Sequence, residues 1–221
     1  MGGGSSAKRF KNFRKTIQFY TQSFSFREPF QVIVDAEFIQ EAVAREQNIF
    51  EEIEAVLGGR PLKCMTTECI RNRLRELDQP NRNSKHFSVT KKFELLRLCR
   101  HLPALSPCEC IVDLIRGKDA SKFFVASNDP VLKEKLRLIP GIPIIYSQKG
   151  MVFLENATPL SHSKANELQT RKNGISAEEK QLLKKLIPIP PKRTGYTKIA
   201  KRKHSAPNPL SCKKKKTASS K

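Results

Sequence analysis

The chain has no tryptophan, three tyrosines and three methionines in 221 residues, and its apolar residues never run long. No stretch approaches the roughly eighteen consecutive apolar residues of a membrane-crossing helix. The opening MGGGSSAKRFKNFRK has no apolar signal core, so neither a membrane partner nor secretion is expected, and MGGGSS (1–6) reads as an appended leader. Without an oxidising compartment, disulfides are not expected of the six cysteines, which are better read as ligands or small buried hydrophobes.

Acidic residues are scarce at both ends. Residues 184–221 hold thirteen Lys and Arg and no Asp or Glu, and residues 1–30 hold six against one. Between them, residues 31–183 are close to neutral, with 23 basic and 20 acidic residues. A near-neutral body with two basic ends suits a polyanion, because each phosphate neutralised releases a counterion. A membrane surface fits less well, since the ends lack the apolar stripe of an interfacial helix.

QVIVDA (31–36) is a short β-branched run, and the segment from Phe38 to Leu57 places Phe50, Ile53 and Leu57 at helical spacing before Gly58 and Gly59. PLKCMTT (61–67) predicts a second strand and ECIRNRLREL (68–77) a helix with Ile70, Leu74 and Leu77 on one face. Val89, Phe93 and Leu96 predict a further helix running into Cys99. Ser106-Pro107-Cys108-Glu109 is a capping box with proline at the first helical position. FFVAS (123–127), PGIPIIYS (140–147) and MVFLE (151–155) predict three more strands, with Asp129-Pro130 capping the helix between the first two. Strands alternating with helices of about ten residues imply a mostly parallel sheet covered on both faces. The expected organisation is a basic N-terminal arm (1–30), an α/β domain (31–155), a polar linker with a short helix (156–187) and a basic, disordered tail (188–221).

Two constellations carry chemistry. Asp35 ends the first strand, Asp129 follows the third, and Glu109 opens the helix between them. Acids at the carboxyl ends of parallel strands can converge on Mg²⁺ or Mn²⁺ for phosphodiester hydrolysis, or can cap the helices they precede. The second constellation is CRHLPALSPCEC (99–110), three cysteines and a histidine in twelve residues, with Cys69 in an earlier helix. Cys99, His101 and Cys110 could join Cys69 as tetrahedral ligands or pack as core residues. Cys108 is the rival for the last position, because it points about 200° round the helix from Cys110. Cys64 reads as core and Cys212 as free.

REPF (27–30), VIVDAEF, TTECI, CRH, CECI, VASND and PGIPIIY, in that order, resemble the PIN-domain proteins of the small-subunit processome. PNPLSCKKKK (207–216) resembles the tail of the U-three-protein twenty-three family of nucleolar rRNA-processing factors. The resemblance implies an α/β fold, a PIN-like three-layer sandwich with a mostly parallel central sheet, an embedded Cys-Cys-His-Cys zinc site at Cys69, Cys99, His101 and Cys110, and basic tails. It implies an acidic cluster of four, three of them Asp35, Glu109 and Asp129, with Arg73 at the fourth position. A guanidinium there would repel a divalent cation and could pair with the remaining carboxylates, which favours a degenerate nuclease that binds RNA without cutting it. An active Mg- or Mn-dependent endoribonuclease is the alternative. The implied partners are an H/ACA small nucleolar RNA, pre-18S rRNA and processome proteins, in the nucleolus.

Arg9, Lys11, Arg14 and Lys15, interleaved with Phe10, Phe13, Phe19 and Tyr20, suit an RNA-binding arm, or aromatics that pin the segment while its charges are solvated. Arg71 and Arg75 extend a basic flank, and Lys201, Arg202, Lys203, Lys213, Lys214, Lys215 and Lys216 suit RNA or nuclear import. A different role is a protein scaffold with PNPLS docked in a partner groove, which salt dependence distinguishes from RNA binding.

Overall fold

Val32, Ile33 and Val34 follow one another in Phe30–Val34, all fully buried, and this unbroken β-branched run makes the segment the central strand β1 of a sheet covered on both faces. The computed structural model describes residues 3–78, 85–96, 99, 101–117, 122–174, 179 and 181–183, in two units, Met1–Gly174 and Ile175–Lys221. In the first unit the further strands are β2 (Leu62–Thr66), β3 (Glu94–Leu95), β4 (Phe123–Ala126), β5 (Ile144–Gln148) and β6 (Met151–Leu154). Their order is β3-β2-β1-β4-β5-β6, parallel throughout except that β6 runs antiparallel to β5.

The described residues of this unit form eight helices around the sheet: α1 (Gly3–Phe24), α2 (Ala36–Ala44), α3 (Ile49–Val56), α4 (Glu68–Asp78), α5 (Lys85–Thr90), α6 (Pro107–Arg116), α7 (Pro130–Arg137) and α8 (Pro159–Asn173). Successive strands are laid down outward from β1 to one side, then from β4 to the other, so the connections diverge between β1 and β4. A crevice opens at the carboxyl ends of those two strands, the usual place for a ligand in an open parallel sheet. Lys149 and Gly150, both at positive φ (51° and 77°), turn β5 back into β6. The positive φ of Gly150 is what favours glycine at that corner, since the Arg45 guanidinium that a side chain there would meet at 2.9 Å can swing aside.

Four expectations are corrected. The helix read from Val89 to Cys99 stops at Thr90, where Lys91, Lys92 and Phe93 turn tightly by bonding three residues back, and Glu94–Leu95 joins β2 as an edge strand. Phe93 and Leu96 are buried as the pattern demanded, but from a turn and a strand end rather than from one helical face. The segment 38–57 is two helices, because Glu46 adopts a positive φ and the Asn48 side chain caps Phe50.

Residues 1–30 are not an arm apart from the domain. Phe13, Ile17 and Tyr20 of α1 enter the same core as the sheet, and Phe13 meets Phe153 of β6 edge to face at 6.5 Å. Residues 159–173 are helix rather than linker. Thr158 caps α8 through Ser161, and Ser161 in turn accepts the Gly141 amide at 2.9 Å. The short helix expected near Leu182 is represented by Glu179 and residues 181–183, which are helical. The basic clusters of the tail lie outside the described residues.

Candidate metal centre and acidic switch point

Three segments deliver four soft ligands to one point. Thr67 caps α4 by accepting the Ile70 amide at 3.2 Å, and so turns Cys69 inward from the first turn. The chain leaving β3 brings Cys99, whose amide bonds Leu96, and two residues later His101. Ser106 and Pro107 fix the start of α6 and drive Cys110 into the interior, where its thiol lies 3.4 Å from the Thr67 hydroxyl.

The sulfurs of Cys69 and Cys99 are 3.5 Å apart, and those of Cys99 and Cys110 3.6 Å. Nδ1 of His101 lies 3.6 Å from the Cys69 sulfur and 3.5 Å from that of Cys99, and all four ligand atoms fall within 4.8 Å of one another. A tetrahedral ion bound by sulfur at about 2.3 Å would set its ligands about 3.8 Å apart, so the cluster is close to the size such an ion requires. The donor set fits too, with three thiols and one imidazole and no hard oxygen among them.

His101 is held from behind. Its Nε2 donates to the Asp113 carboxylate at 2.9 Å, which leaves Nδ1 unprotonated and facing the sulfurs. Hydrogen bonding to Asp113 is also the main reason the imidazole titrates above its ordinary range. Burial pushes the thiols of Cys69 and Cys110 up. Burial pushes Cys99 up as well, but hydrogen bonds from the Cys69 backbone and thiol and the His101 backbone outweigh it and bring Cys99 down to about 7. One thiol of the three is thus readied to ionise first.

Cys108 takes no part in this cluster. Its sulfur accepts from Lys135 at 3.6 Å on the other side of α6, so Cys110 and not Cys108 is the fourth member of the cluster that could hold an ion. Cys64 is core, its thiol pushed up to about 12 by burial.

The second site lies in the crevice between β1 and β4. Asp35 is 2% exposed, caps α2 by accepting the Ala36 amide at 2.7 Å, and accepts the Ser127 hydroxyl at 2.7 Å on its other oxygen. The same Ser127 oxygen accepts the Asp129 amide at 3.1 Å, so one serine ties the two acids together. Burial raises the Asp35 carboxyl to about 6 against the pull of these hydrogen bonds, with Glu37 and Asp129 adding to the rise. Glu37 is raised by burial first and by Asp129 second, and lowered by Lys133.

Glu109 is not drawn into this group by any contact among the described residues; its carboxylate accepts the Ser106 hydroxyl at 2.8 Å in a reciprocal cap. From α6 it is Cys108 that comes within electrostatic reach of Asp129 and Asp35, after burial and Lys135. Arg73 is exposed and pairs with Glu76 at 3.3 Å, one turn along α4, rather than with Asp35 or Asp129. Sequence reading missed Ser127, Glu37 and Asp113. Only Asp113 had a usable signal, three residues after Cys110 on the same helical face.

The basic candidates divide by environment. Lys11, Arg14 and Lys15 are exposed on α1, whereas Arg9 is half-buried with its guanidinium against the Phe10 and Phe153 rings. Arg71 and Arg75 lie over the Phe87 ring at 5.6 and 4.6 Å, and Arg75 also bonds Glu68 and Asn72.

Residues 56–156 match the Fcf1 family model, and residues 200–217 match the UTP23 sensor motif. The chain is 35% identical to the rRNA-processing protein utp23 of Schizosaccharomyces pombe over 179 residues, covering 80% of this chain and 67% of that protein. It is 29% identical to the rRNA-processing protein fcf1 of the same organism, covering 58% of this chain and 64% of that one. Among solved structures, that of the PIN domain endonuclease Utp24 superimposes with a TM-score of 0.52 at 26% identity, covering 60% of this chain and 96% of the other. The parallel sheet with its acidic crevice, the tail motif and these relationships converge: the chain belongs to the UTP23 family of rRNA-processing proteins and folds as a PIN domain.

Proposed function

We propose that the protein is a nucleolar RNA-binding factor of small-subunit ribosome biogenesis, whose PIN domain contacts an H/ACA small nucleolar RNA and pre-18S rRNA without cutting them. The observation that carries the second half is the composition of the crevice. Both oxygens of Asp35 are committed to Ala36 and Ser127, and α6 sets Cys108, beside Lys135, within electrostatic reach of Asp35 and Asp129. Glu109 caps its own helix and Arg73 takes Glu76, so the acids that act on one another in the crevice are Asp35, Glu37 and Asp129.

Zinc is the ion we assign to Cys69, Cys99, His101 and Cys110. Four protein ligands leave no open position for water, so its part is to fasten α4, the chain after β3 and α6 at one pole of the sheet. The basic residues of α1 and α4, with Lys201 to Lys203 and Lys213 to Lys216 of the tail, supply phosphate contacts.

An active endoribonuclease is the second reading, favoured by the likeness to the PIN domain endonuclease Utp24. Incubating wild type and Asp35→Asn with structured RNA in Mg²⁺ or Mn²⁺ separates the two. Cleavage by wild type that disappears in the variant overturns the binding-only reading; intact RNA with both supports it. Crosslinking in cells with sequencing of the contacts tests the RNA partners, and contacts confined to messenger RNA would refute them.

A further inference from the structure

Tyr146 of β5 lies opposite Phe153 of β6 in the hairpin register, and the two rings stack at 5.5 Å with an interplanar angle of 19°. A cation closes each end of this pair. The Arg9 guanidinium sits 5.3 Å from the Phe153 centroid, and the Lys133 ammonium 5.4 Å from that of Tyr146. The two caps differ in freedom. Arg9 is wedged between Phe10, Phe153 and the Met151 sulfur, whereas Lys133 reaches over from α7 and its ammonium makes no ion pair or hydrogen bond among the described residues.

Tyr146 is half-buried and faces a cleft of about 360 Å³, lined also by Lys133, Arg137, Ser147, Gln148 and Glu155. A second cleft of about 510 Å³ continues past Tyr146 and Arg137 toward the start of α8. The Glu155 carboxylate is neutralised by Arg137, whose Nε and Nη2 grip it at 2.7 and 3.1 Å. Nη1 of Arg137 has no partner among the described residues. Lys133 also acts on Glu37, so the cleft begins beside the acidic crevice and runs away from it.

We propose that this cleft binds single-stranded RNA, one unpaired base stacking on Tyr146 as Lys133 swings off the ring to a phosphate, with Arg137 meeting the next phosphate. An aromatic ring flanked by cations at the edge of a cleft is a recurrent platform for unpaired bases, and it offers little to a duplex, whose base faces are already stacked. The inference rests on the RNA-binding reading above and names where a strand leaving the crevice is held.

The test is fluorescence anisotropy of the full chain, purified without chelator, with labelled oligouridine and with a fully paired hairpin. Tyr146→Ala weakens oligouridine binding on the order of tenfold and leaves the hairpin nearly unchanged, while Tyr146→Phe binds both as wild type does. Lys133→Gln lowers the salt-dependence exponent for oligouridine by about one. Equal affinities for wild type and Tyr146→Ala overturn the proposal, as does equal weakening by the Ala and Phe variants. If Tyr146→Ala fails to fold, the Lys133→Gln salt exponent decides, and an unchanged exponent overturns it. A peptide of residues 207–216 that needs Tyr146 when RNA does not would assign the cleft to a proline-containing segment instead. Loss confined to these variants separates the outcomes: if wild type binds neither RNA, the functional reading itself falls, whereas binding indifferent to Tyr146 sinks only the cleft.

Discussion

His101 and Asp113 are joined ring nitrogen to carboxylate at 2.9 Å, and Asp113 lies three residues beyond Cys110 on α6. One helix therefore supplies both a thiol of the cluster and the carboxylate that orients its imidazole. Removing the carboxylate in Asp113→Ala frees the imidazole to rotate and to take the wrong tautomer. Metal affinity is expected to fall about 10- to 100-fold, measured by competition with a chromogenic chelator. An unchanged affinity would mean that the imidazole is oriented by the thiols alone.

Cys108 and Cys110 give a paired experiment. Cys110→Ser should release the zinc and lower thermal stability, whereas Cys108→Ser should keep a full equivalent by elemental analysis, because its sulfur faces Lys135. Equal metal content in the two serine variants would contradict the assignment.

Asp35 predicts a pH effect of definite sign. Burial holds its carboxyl up at about 6, so the ionised form is disfavoured in the folded chain. A raised acid contributes stability below its unfolded value, near pH 4, and loses it as pH rises through about 6. Asp35→Asn, which can still meet Ala36 and Ser127, should therefore gain about 1–3 kcal/mol at pH 8 and little at pH 4. Thermal melts of both proteins without added divalent cation check this, and a variant less stable at pH 8 would refute it.

Asp78 predicts the opposite slope. It is the last residue of α4, buried, and accepts the Phe87 amide at 2.8 Å and His86 Nδ1 at 2.6 Å. Against the opposing effect of burial, these bonds hold its carboxyl below the ordinary range. Its contribution is thus present at neutral pH and fades as pH falls below about 4. Asp78→Ala should cost about 1–3 kcal/mol at pH 7, with the loss shrinking in acid, as denaturant titrations would report.

Legibility in the sequence followed the kind of signal each element carries. An unbroken β-branched run announced β1 and a short apolar run led by two phenylalanines announced β4, while the proline-bearing caps at Ser106 and Asp129 announced α6 and α7. The break between α2 and α3 was hidden because Asn48 interrupts an apolar pattern that stays helical on both sides. α8 was missed because the residues it buries are Ser161 and Ala165, too small and polar to mark a face. At the site, spacing left the ligand set open, and only the family likeness chose Cys110 over Cys108. On α6, Glu109 bonds Ser106 at the helix start, while Cys108 one residue before it lies within electrostatic reach of Asp35 and Asp129. Ser127 had no signal, since its role depends on two acids meeting across strands that are far apart in the chain.

The docking of α1 has a consequence for the order of synthesis. Its apolar face closes on Phe153 and, through Phe19, on His162 at 4.4 Å, partners made roughly 140 residues later. At translation rates of about 5–20 residues per second, α1 waits many seconds after its own synthesis for the surface that will cover it. Throughout that interval the nascent chain displays Phe13, Ile17 and Tyr20 beside Lys11, Arg14 and Lys15, a greasy stripe bordered by positive charge. Completion of the last β-hairpin and the helix after it, rather than formation of the central strands, is what withdraws that stripe from other nascent chains.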